Sequence, residues 1–276
     1  MTHQAHLLPD GRLHLHHGPM DVIVSAEGAD VPVAYRAAEA RFATILTELV
    51  AELPALRSAH PGLLTGAVAR RMAAAVAPHR PAFITPMAAV AGAVAQEVLA
   101  AMPLQHLRRA AVNNGGDIAL HLAPGASYRI ALAGCGITAQ VVADSGVRGI
   151  ATSGRGGRSL SFGIADAVTV LAATAAGADA AATMIANAVD LPGHPAILRQ
   201  PACDVQADSD LGARPVTRAV GHLTAEDMQQ ALQPGAALAQ QLIDAGVIAA
   251  AAVFLHPFHI ILGQPLLAAT PEPACA

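Results

Sequence analysis

The sequence predicts an α+β fold, with residues 1–276 forming a single domain that has a mixed or antiparallel sheet flanked by helices. Three observations lead there. Helical periodicity and two-residue alternation fall in separate blocks, not in the regular strand–helix alternation of a parallel sheet. Strand-like runs follow one another with short turns between them, at 110–122 and again at 128–143, which is the form of a meander. No long Pro/Ser linker or charge block divides the 276 residues, a length ample for one large core.

Composition narrows the function. Hydrophobic residues make up 54% of the chain, mostly Ala, Val and Leu, enough to fill that core. Aromatics are 3% and tryptophan is absent, so platforms for stacking bases are nearly excluded. The net charge is −4 and the basic residues are scattered, which argues against a nucleic-acid face. Cys135, Cys203 and Cys275 are odd in number, far apart and lack a CxxC, which suits a reducing compartment. The first fifteen residues hold no apolar core of signal-peptide length, and the apolar run at 247–255 is too short to span a bilayer. The expectation is a cytoplasmic protein with a small-molecule, nucleotide-type ligand, no nucleic acid and no membrane, and with a homo-oligomer left open.

Taken in order, 12–17 alternates Leu13 and Leu15 against His14 and His16 and reads as a strand, with 20–25 as its hairpin partner. The histidines have no carboxylate or cysteine beside them at ligand spacing, so a solvated strand face is the default over a metal site. Residues 33–53 carry the stripe Phe42, Ile45, Leu46, Leu49 and Leu53 of a helix that Pro54 stops, and 63–76 reads as a shorter helix. A further helix starts at Thr85 as N-cap with Pro86 in its first turn, and presents the small face Ala88, Ala89, Ala91, Gly92 and Ala95. Strands are expected at 110–112, 118–122, 128–133, 137–143, 147–152 and 168–173. The Asn113-Asn-Gly-Gly-Asp117 turn joins the first two. An Ala-rich helix covers 179–189, and 191–214 is loop-like. Thr224 caps a helix over 226–245 that Pro234 splits, and strands at 247–255 and 259–262 close the chain. His256 and His259 flank Pro257, where a catalytic role is conceivable but no motif supports it.

Two features carry chemistry. Residues 154–158 read Gly-Arg-Gly-Gly-Arg, with Ser153, Ser159 and Ser161 around them. Gly154, Gly156 and Gly157 would offer backbone N–H groups and Arg155 and Arg158 positive charge, which suits a phosphate. In Ala178-Asp-Ala-Ala-Ala-Thr-Met184, Asp179 and Thr183 lie four apart, so on a helix both oxygens can meet one hard cation. The plain alternative is a tight surface turn followed by a small-residue helix with Asp179 near its first turn. Asp117, directly after two glycines at a strand edge, tilts its turn toward function. No Walker motif occurs, no GxGxxG follows a strand, and the serines lack a GxSxG context.

Asn114-Gly-Gly-Asp-Ile118, Ala151-Thr-Ser-Gly154 and Ala178-Asp-Ala-Ala-Ala-Thr183 occur in the order found in the ApbE superfamily of FAD-utilising flavin transferases. With Thr85-Pro-Met-Ala-Ala-Val-Ala-Gly-Ala93 and Ser159-Leu-Ser-Phe-Gly-Ile-Ala-Asp-Ala167, the chain resembles the UPF0280 branch of that superfamily. The resemblance implies an ApbE-like domain. It also implies Mg²⁺ on Asp179 and Thr183, and FAD or FMN along Asn114, Gly115, Gly116, Asp117, Thr152, Ser153, Gly154, Arg155 and Arg158. The sequence departs from the transferases where they have His-Ile-Ile-Asp-Pro-x-Thr-Gly: here stands Arg158-Ser-Leu-Ser-Phe-Gly-Ile-Ala-Asp-Ala167, without the His or the Asp-Pro. Asp166 either supplies a catalytic carboxylate to that altered site or caps the following strand. Three readings stay open: a Mg-dependent flavin or nucleotide transferase-like enzyme, a non-catalytic flavin- or nucleotide-binding protein, and an enzyme of one-carbon (pterin) cofactor biosynthesis.

Overall fold

The computed structural model describes residues 2–131, 137–157, 159–263 and 267–269. Alternation at the N-terminus produces three strands, β1 (Gln4–Leu7), β2 (Leu13–His17) and β3 (Met20–Gly28). Helix α1 (Val31–Ala51) buries Phe42, Ile45 and Leu49 as the periodicity predicts. Pro54 does more than stop it: it lies in the first turn of a short helix, α2 (Leu53–Leu56), where a missing N–H costs nothing. Helix α3 (Ala67–Val76) starts later than expected. Thr85 does not act as a side-chain cap; its Oγ1 donates to Asp210, and Pro86–Ala89 form a 3-10 turn leading into α4 (Val90–Ala100).

Strands β4 (Leu107–Asn114) and β5 (Asp117–Leu122) form the predicted hairpin. Gly115 and Gly116 are its two turn residues, at φ 68° and 111°, a backbone region that favours glycine. Strands β6 (Ser127–Ala131) and β7 (Ile137–Val142) pair as a second hairpin, and β8 (Gly149–Ser153) and β9 (Ala167–Ala172) flank the glycine-rich loop. Helix α5 (Ala175–Ala188) starts at Thr174, whose side chain accepts the Gly177 N–H at 3.1 Å. Asp179 therefore sits on the second turn, not the first.

The stretch expected to be loop holds β10 (Ile197–Pro201) and α6 (Ala202–Val205), followed by β11 (Pro215–Val220). This hairpin is pinned by Arg199, which donates to the Phe162 carbonyl at 2.8 Å and pairs with Asp190. Helix α7 (Ala225–Asp244) begins with a full capping box between Thr224 and Asp227 and runs unbroken through Pro234. Pro234 and Gln230 are both exposed, so water can hydrate the carbonyl that proline leaves without a donor, while Ala231, Leu232, Gly235 and Ala239 hold the buried side. Strands β12 (Ala250–Leu255), β13 (Phe258–Gly263) and β14 (Leu267–Ala269) follow.

Nine strands form one sheet in the order β1-β2-β3-β4-β5-β8-β9-β12-β13, every neighbour antiparallel. Helices α1, α3, α4, α5 and α7 pack on one face, burying Leu15, Val22, Val112, Val168 and Val170. The small sheet β14-β7-β6 covers part of the other face over Leu120, Ile150, Leu171 and Ala252. The small-residue face of α4 serves close packing: a Cβ on Gly92 would lie 2.3 Å from the Ala175 carbonyl oxygen of α5. Charge ties the helical layer as well, with Glu97 accepting from Arg41 at 2.9 Å and from Arg71 at 2.7 Å.

Candidate functional site

The antiparallel order brings four segments to one end of the large sheet: the Gly115–Gly116 turn, the loop after β8, Asp166 before β9, and the tip of the β12–β13 hairpin. Together they border a cleft of about 1190 Å³. Its apolar lining includes Ile118, Ile130, Ile150, Met228, Phe254 and Phe258. Interspersed with them are the polar residues Asn113, Thr152, Ser153, Arg155, Asp166, His256 and His259. The turn and the loop, far apart in sequence, thus share one site.

Register decides which predicted residues face the cleft. Val22 pairs with Asn114, and Asn114 with Asp117, which puts both on the helical face with Val22. There Asn114 Nδ2 donates to the Ala91 carbonyl at 3.1 Å, and Asp117 accepts the Thr152 N–H at 3.2 Å. Ile23 pairs with Asn113, Asn113 with Ile118, and Ile118 with Ile150, and this row lies on the opposite face. The predicted residues therefore split. Asn114, Asp117, Asp179 and Thr183 lie under the sheet, while Thr152, Arg155 and Asp166 line the cleft. Ser153 joins the two sets: it lines the cleft and its Oγ accepts from Thr183 Oγ1 at 3.5 Å.

Under the sheet, Asp179 and Asp117 form a pair of acidic groups. Asp179 Oδ2 accepts the Gly92 N–H at 2.9 Å, so it caps the start of α4 from a neighbouring helix. Burial pushes the Asp179 carboxyl well above the usual carboxylate range and the Asp117 charge pushes it further, while the Gly92 and Ala91 N–H groups oppose the shift. The residue as a whole keeps some solvent access, while its carboxyl is packed round by protein.

The glycine-rich loop differs from expectation. Three of its N–H groups are spent within the protein: Arg155 donates to the Ala165 carbonyl at 2.9 Å, Gly156 to that of Asp166 at 3.2 Å, and Gly157 to that of Gly154 at 3.0 Å. Gly154, at φ 132°, is required by close approach, since a Cβ there would lie 2.7 Å from the Asp166 carbonyl oxygen. A phosphate would therefore meet side chains here, not a nest of amides. Arg158 lies outside the described residues, as do Cys135 and Cys275. Asp166 neither stands free nor simply caps a strand. Its Oδ1 accepts from Arg155 at 2.5 Å and its Oδ2 from the His256 N–H at 2.7 Å, so it ties the loop to the hairpin tip.

Sequence reasoning left His256 and His259 without a partner. The hairpin brings both to the cleft, with the His259 ring 5.7 Å from that of Phe254. The signal was present in their spacing about Pro257, but only the pairing of β12 with β9 shows what they face.

Fold and site together define an α+β protein with a large, half-apolar cleft at the end of an antiparallel sheet. The model of the family described as AbpE bacteria matches residues 5–264, and the chain belongs to that family. The "UPF0280 protein" of Methanothermobacter thermautotrophicus is 41% identical over 118 residues, covering 41% of this chain and 46% of the relative. That of Methanosphaerula palustris is 39% identical over 127 residues, covering 44% and 52%. The match thus spans about half the length of these curated relatives. A solved structure, the apo form of Pseudomonas stutzeri flavinyl transferase ApbE, aligns over 96% of this chain and 94% of its own, at 14% identity and a TM-score of 0.41, a loose likeness. Among the described residues no helix is long and apolar enough to cross a membrane.

Proposed function

We propose that the cleft binds a flavin or related nucleotide, with the ring system against its apolar side chains and the phosphates near Thr152, Ser153 and Arg155. The observation that carries this reading is the mixed lining of the cleft. Ile118, Ile150, Met228 and Phe254 offer a flat ring apolar contact, while Thr152, Ser153 and Arg155 offer two hydroxyls and a guanidinium suited to a phosphate ester. Family membership and the motif order of the sequence support the same ligand class.

The residues under the sheet fit a hard divalent cation in donor type. Asp117, Asp179, Ser153 and Thr183 are all oxygen donors, and two carboxylates forced together are the arrangement a cation relieves. Among the described residues no three His, Cys, Asp or Glu side chains form a metal cage, so Mg²⁺ here would need hydroxyls and ligand phosphate to complete its shell. When bound, it would neutralise phosphate charge. The chain's own part is orientation: the first N–H groups of α4 fix the Asp179 carboxyl, and Ser153 carries contact from Thr183 into the cleft.

Asp166 acts as a positioning group in this reading, because Arg155 and the His256 N–H engage both its oxygens. The geometry supports binding before catalysis. Titrating FMN and FAD into the protein with and without Mg²⁺ tests it. Saturable binding strengthened by Mg²⁺ is expected, and absence of binding of either nucleotide would overturn it. AMP released from FAD in the same mixtures separates a transferase from a binding protein.

A further inference from the structure

The nine-stranded sheet ends on β13, and among the described residues no backbone hydrogen bond reaches the outer side of that strand. Alternate residues of Phe258–Gly263 therefore hold N–H and C=O groups out along an open edge. Sheet edges that stay unpaired are blunted by lysine, proline, an inward charge or a bulge, or are very short. Strand β13 has none of these features. It reads Phe-His-Ile-Ile-Leu-Gly and pairs with β12 over all six residues without a register shift. The opposite edge, β1, is four residues long and carries Gln4 and His6.

The helix beside this edge matches it. Helix α1 packs under β2 and β3, α4 under β4 and β5, α5 under β8 and β9, and α7 under β12 and β13, so α7 ends the helical row. Between Met228 and Ile243 its exposed positions hold only Gln, Pro and Ala. Helix α1, of nearly equal length, carries Arg36, Glu39, Arg41 and Glu48 outside its buried stripe. Depletion of charge on a strand edge and on the helix next to it marks the core of an interface. Strand and helix are about 20 and 30 Å long, a face large enough for the roughly 800 Å² per partner that a stable complex covers.

We propose that this face joins two copies of the chain about a two-fold axis, with β13 of each paired antiparallel to β13 of the other. A second copy is the occupant because the edge is self-complementary: without Asp, Glu, Lys or Arg it meets itself with no like-charge contact. The register follows as well. Gly263, at φ 99°, leaves the extended region, so 258–262 remain to pair. Paired residues face the same side of a sheet, so the axis passes through a residue, and the midpoint is Ile260. Phe258 then meets Leu262, and Ile260 its own counterpart, on the side of the helices. On the other side His259, which lines the cleft, meets Ile261 of the second copy. The second copy thus supplies the outer margin of the cleft beside His259, whichever ligand the cleft takes.

Sedimentation velocity over a range of concentrations tests this in the wild type, Ile261→Lys, Ile261→Thr and Leu7→Lys, with a thermal melt of each variant to establish folding. The wild type should sediment with twice the 27.8 kDa mass of the chain at tens of micromolar. Ile261 is 39% exposed on the edge, and a lysine there should weaken the dimer about tenfold. Threonine keeps the β-branch that suits the strand and loses only apolar contact, so it should weaken the dimer about threefold. Leu7→Lys, at a residue 67% exposed on the opposite edge, should leave the dimer unchanged. A monomeric wild type, an Ile261→Lys variant that dimerises as the wild type does, or a dimer dissolved by Leu7→Lys would overturn the inference.

Discussion

Replacing Asp179 with Asn should stabilise the protein at neutral pH, and the structure says why. In the unfolded chain an aspartate titrates near pH 3.9. In the folded chain burial, aided by the Asp117 charge, holds Asp179 well above that. Between those two values the folded state binds more protons than the unfolded state, so stability falls as pH rises through the window. The slope reaches about 1.4 kcal/mol per pH unit, and above the folded value the loss is complete. Asparagine never ionises, and its amide oxygen can still accept the Gly92 N–H. Asp179→Asn should therefore lack this pH-dependent loss. For a chain of 276 residues each ~1.4 kcal/mol of that loss moves Tm by roughly 2–3 °C, so the variant should show a readable advantage at pH 8. The advantage should shrink as pH falls toward about 3.9, the unfolded value, and vanish only below it. Thermal unfolding followed by circular dichroism from pH 4.5 to 8.5, free of divalent cations, reads this directly. A variant less stable than the wild type at pH 8, or one whose stability runs parallel to it across the range, would refute the reasoning. Adding Mg²⁺ and nucleotide reverses the ranking if Asp179 holds the ion, because ligation stabilises only the chain that binds it.

Three further outcomes follow from contacts already described. Gly92→Val forces a side chain into the Ala175 backbone, 2.3 Å from where its Cβ would stand, and should cost at least about 2 kcal/mol in urea denaturation; an unchanged midpoint would mean that α4 and α5 can separate freely. Glu97→Gln leaves Arg41 and Arg71 without the carboxylate they share, at 13% exposure of that side chain. Partial exposure of both arginines brings the expected loss to about 2 kcal/mol, below that for a fully buried pair, again read by denaturation. Arg155→Ala should weaken FMN binding about fivefold in low salt and less at high salt, and equal affinity at both would take Arg155 out of phosphate recognition.

The sequence disclosed the fold where patterns were local. The alternation at 12–17, the Asn-Gly turn before Asp117 and the Thr224 box each carry their cause within a few residues, and each appears close to its expected place. The misses have non-local causes. Pro234 breaks no helix because its freed carbonyl faces water and Gly235 lets the buried side sit against Val189. The hairpin of β10 and β11 has no apolar alternation to announce it, being held by Arg199 reaching Asp190 and Phe162. Asp179 and Thr183 were legible as neighbours on a helix. Nothing in their spacing showed that α4 would direct its N–H groups at that carboxyl, or that the register would set it on the helical face while Arg155 lines the cleft. The loop at 154–157 read as a phosphate cradle because glycines look alike from sequence whether their amides face outward or, as here, inward.

The two-glycine turn between Asn114 and Asp117 also sets the phase of the hairpin. Because neighbouring positions along a strand point to opposite faces, adding one residue there would exchange Asp117 with Ile118, delivering a carboxylate to the cleft's apolar side chains and an isoleucine to Asp179. Length changes at this turn should be tolerated only in even numbers. Within fixed length, alternate positions of β4 and β5 answer to different constraints. Asn113 and Ile118 can vary with whatever occupies the cleft, while Asn114 and Asp117 vary with the helices beneath. Ligand preference and helical anchoring can therefore diverge separately among relatives, on the same few residues of chain.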